Sequence, residues 1–154
     1  MKLGSLKVFN EIYSESIWGK GSGSGSELKY CKPYLNFLKD FFYDYKIKSI
    51  VDLGCGDWQF SKEINFKGIK YFGIDVAEEV IAENTKSYSS EDITFNILDK
   101  YQDIPSCDLL ICKDVMQHLS IKENKKIIKE VFPKFKYILS TNCVTARSPI
   151  GEFI

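Results

Sequence analysis

The stretch VDLGCGDWQF, residues 51–60, decides the fold of this chain. It runs from a β-branched apolar segment into the glycine-rich turn GCG at 54–56. Glycines are needed where the backbone turns tightly and where a ligand must approach it closely. A helix is expected to begin near Asp57 or Trp58, and its free amide groups favour a carboxylate or a phosphate. A simple strand-to-helix connection is the alternative, but the position directly after a β-branched strand favours a binding turn.

Five short apolar runs, rich in β-branched and aromatic residues, alternate with amphipathic stretches along the chain. The runs occupy residues 47–54, 69–75, 93–99, 107–114 and 136–142. Their nearly continuous hydrophobicity is typical of strands that are covered on both faces. The alternation of strands and helices predicts an α/β fold, a Rossmann-like doubly wound parallel sheet with helices on both faces.

The clearest helical pattern is SIKENKKIIKEVF, which begins at Ser120. Ser120 and Glu123 have the spacing of a capping box, in which each side chain bonds the backbone of the other residue. A helix with 3.6 residues per turn gathers apolar residues three and four positions apart on one face. The stripe predicted to face the core consists of Ile127, Ile128 and Val131.

A glycine-serine stretch, WGKGSGSGSE at 18–27, precedes the first helical pattern. Ser24 and Glu27 again have capping-box spacing. The apolar stripe that follows consists of Leu28, Cys31, Leu35, Leu38, Phe42 and Tyr45. Pro33 interrupts it, so the helix either kinks or begins near Lys32.

The glycine-serine residues 19–26 are expected to form a mobile lid, because glycine bends freely and offers unhindered backbone amides to a carboxylate. A disordered linker is the alternative. The chain is accordingly divided into an N-terminal segment with the lid at 1–26 and a ligand-binding domain at 27–154.

Composition limits the class of protein. The 154 residues are enough for one domain with a core, and 44% of them are apolar. The 21 basic and 21 acidic side chains balance, which argues against nucleic acid or an anionic membrane as a partner. No apolar run approaches the roughly 20 residues of a membrane span, and no signal peptide is visible. Cys55, Cys107 and Cys112 lie among apolar residues, which predicts free thiols and a reducing, cytoplasmic location.

Three of the apolar runs end in an acid: Asp75, Asp99 and Asp114. In an open parallel sheet the ligand lies beyond the carboxyl ends of the strands, so these acids are expected at one rim. Asp75 follows the turn by about twenty residues, where an acid can accept ribose hydroxyls. A dinucleotide fingerprint would need glycine at the position of Gln59. Asp99 is within plausible reach of an adenine amine.

The motifs VDLGCG, YFGIDV, FNILD and CDLLICKDVMQHLS, in this order and at these intervals, resemble those of class I S-adenosylmethionine-dependent methyltransferases. The resemblance covers roughly residues 20–142. GCGDW followed by YFGIDV and CKDVMQHLS more narrowly resembles a group of small methyltransferase-like proteins. In that group too, a glycine-serine segment precedes the first helix.

The resemblance implies roles for the rim residues in binding S-adenosylmethionine. Gly54 and Gly56 would flank its methionine part, and Asp75 would hold the ribose. The adenine would lie between Leu98 and Asp99, while Asp52 would order the turn or meet the ammonium group through water. The full set expected to bind the cofactor is Trp18, Gly23, Ser24, Asp52, Gly54, Cys55, Gly56, Trp58, Asp75, Val76, Leu98, Asp99 and Lys113.

His118 and Asp114 are the candidate catalytic residues. His118 is the only histidine in the chain and lies where such enzymes usually bind the methyl acceptor. Its ordinary pKa suits a base that takes a proton from the acceptor, although it could equally cap or pack the loop. Asp114 with Lys113 could bind a polar substrate or form a solvated strand end. The expected acceptor is a small molecule or a protein, and no metal is expected.

The C-terminal stretch CVTARSPIGEFI at 143–154 is too short for the last β-hairpin of the family, which the chain is therefore expected to lack. An exposed edge at the fifth strand would favour a homo-oligomer or a partner chain. A catalytically silent cofactor-binding or regulatory module thus remains an alternative to an enzyme. A nucleotide-dependent oxidoreductase is a further alternative, and the missing third glycine argues against it.

Overall fold

A computed structural model describes Tyr13, Glu15, Ile17, Gly21, Ser22 and residues 26–142. Over the described residues the elements are α1 Leu28–Asp44, β1 Ser49–Leu53, β2 Lys70–Asp75, α2 Glu78–Tyr88, β3 Ile93–Ile97, β4 Cys107–Lys113, α3 Ile121–Lys126 and β5 Phe135–Thr141. All five predicted strands are confirmed within two residues at each end. None of the helices described is long and apolar enough to span a membrane.

The five strands form one sheet in the order β3-β2-β1-β4-β5, and every neighbouring pair is parallel. The chain leaves β1 toward β2 and β3 on one side and returns to place β4 and β5 on the other. The carboxyl ends of β1 and β4 therefore flank the point where the strand order reverses, and a crevice for a ligand forms at such a point.

Helices cover both faces of the sheet, as predicted. On one face, α1 and α2 pack in a core cluster with sheet side chains that include Ile50, Tyr71, Phe95, Leu109 and Ile111. On the other face, the segment that follows α3 packs with Val51, Leu53, Ile74, Leu110 and Cys112. The doubly wound Rossmann-like arrangement is confirmed.

The two edge strands differ from the expectation that all strands are covered on both faces. β1 and β4 have no exposed residue and are buried in their central part, whereas β3 and β5 alternate or expose most of their residues. Ile97 and Ile138 are exposed. Edge strands have a neighbour on one side only, so their hydrophobic runs reflect strand propensity more than burial.

Helix α1 follows the predicted stripe in its middle but not at its ends. Cys31, Leu35, Leu38 and Phe42 are buried. Leu28 and Tyr45 are exposed because they occupy the first position and the residue after the last. The helix begins at Leu28 with Pro33 inside it, so of the two alternatives the start near Lys32 is wrong. Glu27 at the N-cap makes no side-chain cap. Ser24 lies outside the described residues.

The expected helix after the glycine turn does not form. Residues 57–60 are turns, and only a short 3₁₀ turn, Ser61–Glu63, follows them. Gly56 and Trp58 have φ values of +54° and +59°, in the left-handed region that a right-handed helix cannot use. The connection from β1 to β2 is therefore a compact loop, and a helix N-terminus is not what faces the crevice here.

The capping box of α3 is confirmed, since Ser120 Oγ accepts from the Glu123 N–H and Glu123 accepts from the Ser120 N–H. The helix continues as a π-turn over Ile127–Val131. Ile127 and Val131 are buried, but the prediction for Ile128 is wrong, because it is 51% exposed. Side chains of successive helix residues point about 100° apart, so Ile128 does not share the buried face on which Ile127 lies.

These adjacent isoleucines give a matched test of the packing. Ile127→Ala should reduce the free energy of unfolding by about 2–5 kcal/mol, because it leaves a cavity against the sheet. Ile128→Ala removes the same atoms from an exposed position and should change it by less than about 0.5 kcal/mol. Urea unfolding of both variants measures the difference, and equal losses would contradict the assigned face of this helix.

Candidate functional site

The glycine turn after β1 depends on its two glycines for conformation and for space. Gly54 and Gly56 have φ values of +77° and +54°, which L-residues rarely adopt. A Cβ atom on Gly54 would lie 2.4 Å from Val115 Cγ2, and one on Gly56 would lie 2.1 Å from Ser22 Oγ. Backbone at this turn is thus held tightly between the loop after β4 and the N-terminal segment.

The backbone of Gly56 is held from two sides. Its N–H donates to Asp75 Oδ2 at 3.0 Å, and its carbonyl oxygen accepts from Asn84 Nδ2 at 2.7 Å. Asn84 lies on α2 and is only 2% exposed. Sequence reasoning missed this residue, although a polar side chain three positions after the buried Ile81 was a signal that something inside required it.

Asp75 lies at the end of β2, where the sequence predicted an acid at the rim, and it is buried, with 7% of its surface exposed. Its Oδ1 accepts from the N–H groups of Val76 and Ala77 at 2.7 and 3.0 Å. Burial raises the pKa of the Asp75 carboxyl, and the three backbone N–H bonds oppose that rise. The carboxylate therefore shapes the turn through its backbone hydrogen bonds.

Ser22 connects the N-terminal segment to the turn. Its hydroxyl donates to Asp57 Oδ1 at 2.7 Å, and its oxygen accepts from the Asp57 N–H at 3.0 Å. The Tyr13 hydroxyl lies 3.0 Å from the same oxygen. The predicted site residues Trp18, Gly23 and Ser24 lie outside the described residues.

Trp58 is placed inside the core and away from the rim. Its indole packs with the rings of Phe66, Tyr88 and Phe95. Its Nε1–H donates to the Tyr71 hydroxyl at 2.9 Å, and that hydroxyl donates to Asp52 Oδ2 at 2.6 Å. Trp58 therefore anchors the turn by packing, and a buried hydrogen-bonded chain leads from it to an acid of β1.

Asp52 is buried on the face of the sheet that α1 covers. Burial raises the pKa of its carboxyl to about 6, and the charge of Asp75 adds to the rise. The hydrogen bond from Tyr71 and the charge of Lys113 act in the opposite direction. A cation placed beside Asp52 would favour its charged form, because opposite charges stabilise each other most where water is excluded.

The residues after β3 lie at the same carboxyl edge. Leu98 is buried and its N–H donates to the backbone carbonyl of Asp75 at 2.7 Å, while Asp99 is exposed. Cys55, in the glycine turn itself, is buried, and burial raises the pKa of its thiol. Across the part of the chain that the structure describes, no three His, Cys, Asp or Glu side chains are grouped to hold a metal.

The end of β4 brings charged side chains together. Asp114 has a φ of +56°, a conformation that aspartate tolerates better than most residues. Lys113 Nζ lies 2.6 Å from Asp114 Oδ2, and the Thr141 hydroxyl donates to Asp114 Oδ1 at 3.4 Å. A backbone strained at such a rim is typical of functional sites.

His118 lies on the 3₁₀ turn Met116–His118 that follows β4. Partial desolvation lowers the pKa of its imidazole, and the charge of Asp114 opposes that effect. The ring therefore favours the neutral form at neutral pH, in which one nitrogen can accept a proton. The structure places His118 and Asp114 close enough to interact electrostatically.

A family model described as a methyltransferase domain matches residues 51–134, more than half of the chain and nearly all of the rim described above. The chain belongs to this class I S-adenosylmethionine-dependent methyltransferase family.

One curated relative of this methyltransferase domain is the ubiquinone biosynthesis O-methyltransferase of Rickettsia bellii (strain OSU 85-389). It is 26% identical over 147 residues, and the match covers 88% of this chain and 60% of the relative. The chain thus spans about three-fifths of the length of the curated relatives it matches.

Solved methyltransferases share the fold. Magnesium protoporphyrin IX methyltransferase from Synechocystis PCC 6803, with bound S-adenosylmethionine, superposes with a TM-score of 0.59 at 20% identity over 83% of this chain and 70% of its own. Human N-acetylserotonin methyltransferase, in complex with S-adenosylmethionine, superposes with a TM-score of 0.54 at 18% identity. This match covers 90% of this chain and 41% of the human one. At these identities the similarity concerns the fold.

The buried carboxyl of Asp52 predicts a pH dependence for the methyltransferase domain. Its pKa is higher in the folded than in the unfolded chain, so stability falls as pH rises from about 4 to above 6. Asp52→Asn keeps an oxygen for the Tyr71 hydroxyl and removes the charge. The free energy of unfolding of this variant, relative to that of the wild type, should increase by about 3 kcal/mol between pH 4 and pH 7.

Urea unfolding at a series of pH values measures this gain. Asp40→Asn, which removes an exposed carboxylate on α1, controls for the change in net charge. A constant difference between Asp52→Asn and the wild type from pH 4 to pH 7 would show that Asp52 titrates normally in the folded protein.

Proposed function

We propose that the chain transfers a methyl group from S-adenosylmethionine to a small-molecule or protein acceptor. The observation that carries this proposal is the Gly56 backbone, held between Asp75 and Asn84 at the point where the strand order reverses. This arrangement fixes a left-handed glycine turn at the carboxyl edge, within the residues that match the methyltransferase family.

The residues present suit the cofactor. We assign Gly54 and Gly56 to the methionine part, Asp75 to the ribose hydroxyls and Leu98 with Asp99 to the adenine. Asp52 is assigned to the ammonium group, which is consistent with a buried acid that a neighbouring cation would stabilise. When bound, the cofactor supplies an electrophilic methyl group on its sulfonium. The protein then has mainly to align the acceptor and exclude water.

At the acceptor side, we assign proton removal to His118. A neutral imidazole at the rim accepts the acceptor's proton, and the nearby carboxylate of Asp114 stabilises the imidazolium that results. Asp114 is in turn oriented by Lys113 and Thr141. Lys113 offers a positive charge beside the reacting groups.

Two finer assignments are also proposed. On the motif GCGDW we assign the chain to the narrower group of small methyltransferase-like proteins, and the burial of Trp58 within that motif supports the assignment. A cytoplasmic location is supported by Cys55, Cys107 and Cys112, which are free thiols.

We infer that residues 19–26 form a lid that closes over the cofactor. The support is Ser22, whose hydroxyl is bonded to both the side chain and the N–H of Asp57 in the loop beside Gly56. Of the described residues of this stretch, Gly21 lies against Asp57 and Ser22 lies against Gly56, in the turn assigned to the methionine part.

A silent cofactor-binding module is the second candidate. β5 pairs only with β4 among the described strands and so leaves an open edge on which another chain could add a strand. Binding of S-adenosylhomocysteine without transfer of a radiolabelled methyl group to any component of a cell extract would favour this candidate.

The ribose assignment predicts a selective loss of affinity. Calorimetric titration of the wild type should show S-adenosylhomocysteine binding about 10- to 100-fold more tightly than its 2′,3′-dideoxyribose analogue, since charge-assisted hydrogen bonds to the hydroxyls are lost. In Asp75→Asn this ratio should fall several-fold, because the amide carries no charge. NAD should not bind.

Asn84→Ala provides the matched control, because Asn84 touches the turn and not the ribose in this assignment. Asn84→Ala should weaken the binding of both ligands and keep the wild-type ratio between their affinities. Absence of binding by S-adenosylhomocysteine would refute the proposed function, while an unchanged ratio in Asp75→Asn would refute only the ribose assignment.

Hydrogen exchange tests the lid. Amides of residues 19–26 should exchange more slowly when S-adenosylhomocysteine is bound, because closure orders them. Ser22→Ala should reduce this protection, since it removes both bonds to Asp57. Equal and fast exchange with and without saturating ligand would mean that the stretch is a linker.

A further inference from the structure

Tyr34 on α1 has a buried hydroxyl that no group in the described structure satisfies. Its ring packs against the core, 6.0 Å from the ring of Phe60 in an edge-on arrangement and 6.4 Å from that of Phe37. Leaving a buried hydroxyl without a partner is unfavourable, and most such groups in proteins are hydrogen-bonded. The position therefore needs an explanation.

Tyr71 shows what a structural tyrosine looks like in the same molecule. Its hydroxyl accepts from Trp58 and donates to Asp52, so both of its hydrogen-bonding functions are used inside the fold. The Tyr34 ring is partly buried against the same core cluster, and its hydroxyl has no hydrogen-bond partner among the described residues. Its hydroxyl is held in place by packing while its hydrogen-bonding capacity stays available.

The surroundings of Tyr34 belong to the acceptor side of the site. The Phe60 ring that Tyr34 contacts also lies 5.6 Å from Lys113 Nζ, and Lys113 is paired with Asp114. Burial raises the pKa of the Tyr34 hydroxyl, and the charges of Asp52 and Asp114 raise it further. At neutral pH the group is therefore a protonated hydrogen-bond donor.

We propose that the Tyr34 hydroxyl binds the reacting oxygen of the methyl acceptor, and that the acceptor is therefore a hydroxyl compound and not an amine. This inference rests on the proposed function and specifies its substrate class. Tyr34 lies on α1, whereas His118 lies on the 3₁₀ turn that follows β4.

The chemistry separates oxygen from nitrogen acceptors. One oxygen lone pair attacks the methyl carbon, the carbon–sulfur bond breaks with its electrons left on sulfur, and the hydroxyl proton passes to His118. The products are the methyl ether, S-adenosylhomocysteine and an imidazolium that later loses its proton to water. A second oxygen lone pair remains free to accept from Tyr34 throughout, whereas a neutral amine has a single lone pair and needs it for the attack.

The test uses two probes that differ in one atom, 4-methylphenol and 4-methylaniline, titrated into protein saturated with S-adenosylhomocysteine. Tyr34→Phe should weaken 4-methylphenol roughly 3- to 10-fold, the effect of one lost neutral hydrogen bond. Its affinity for 4-methylaniline and for S-adenosylhomocysteine should not change. Tyr43→Phe, which removes a hydroxyl from a residue of the same helix that is 84% exposed, should leave all three affinities unchanged.

Thermal unfolding of the free protein controls for a structural role. Because the Tyr34 hydroxyl has no hydrogen-bond partner among the described residues, Tyr34→Phe should unfold at the same temperature as the wild type or higher. Weaker S-adenosylhomocysteine binding in this variant would assign the hydroxyl to the cofactor and overturn the inference. So would equal losses for both probes, or failure of 4-methylphenol to bind a complex that S-adenosylhomocysteine has formed.

Discussion

The rim of this sheet depends on two hydrogen bonds to one residue, Gly56. Asp75 accepts from its N–H and Asn84 donates to its carbonyl, so the loop after β1 is fixed to the end of β2 and to α2 together. Without them, a turn with two left-handed glycines would have many accessible conformations. The two hydrogen bonds to Gly56 therefore hold this flexible glycine turn in one conformation.

Packing around Trp58 supports the same loop from inside the core. No α-helix lies between β1 and β2, and the Trp58 indole anchors this connection to the sheet by packing. Its N–H donates to the Tyr71 hydroxyl, which in turn donates to Asp52. This solution buries an acid beside the site, which costs stability at neutral pH. Such a cost is common where function requires a charge in a poorly hydrated place.

Sequence patterns predicted the sheet well because strand propensity and burial are local signals, and they predicted the α3 capping box for the same reason. They failed where contacts between residues far apart in the sequence determine the local structure. The missing helix after the glycine turn follows from the burial of Trp58, and the burial of Asp75 follows from amides that only the folded turn brings together. The role of Asn84 could be predicted only by asking why a polar residue lies on the buried face of α2.

The most direct test of this account is the NMR signal of the Gly54 and Gly56 amides during titration with S-adenosylhomocysteine. Both signals should shift strongly and saturate at one equivalent, while amides on the opposite edge of the sheet remain unchanged. Binding that shifts other regions and leaves these two amides in place would contradict the assignment of the glycine turn as the cofactor site.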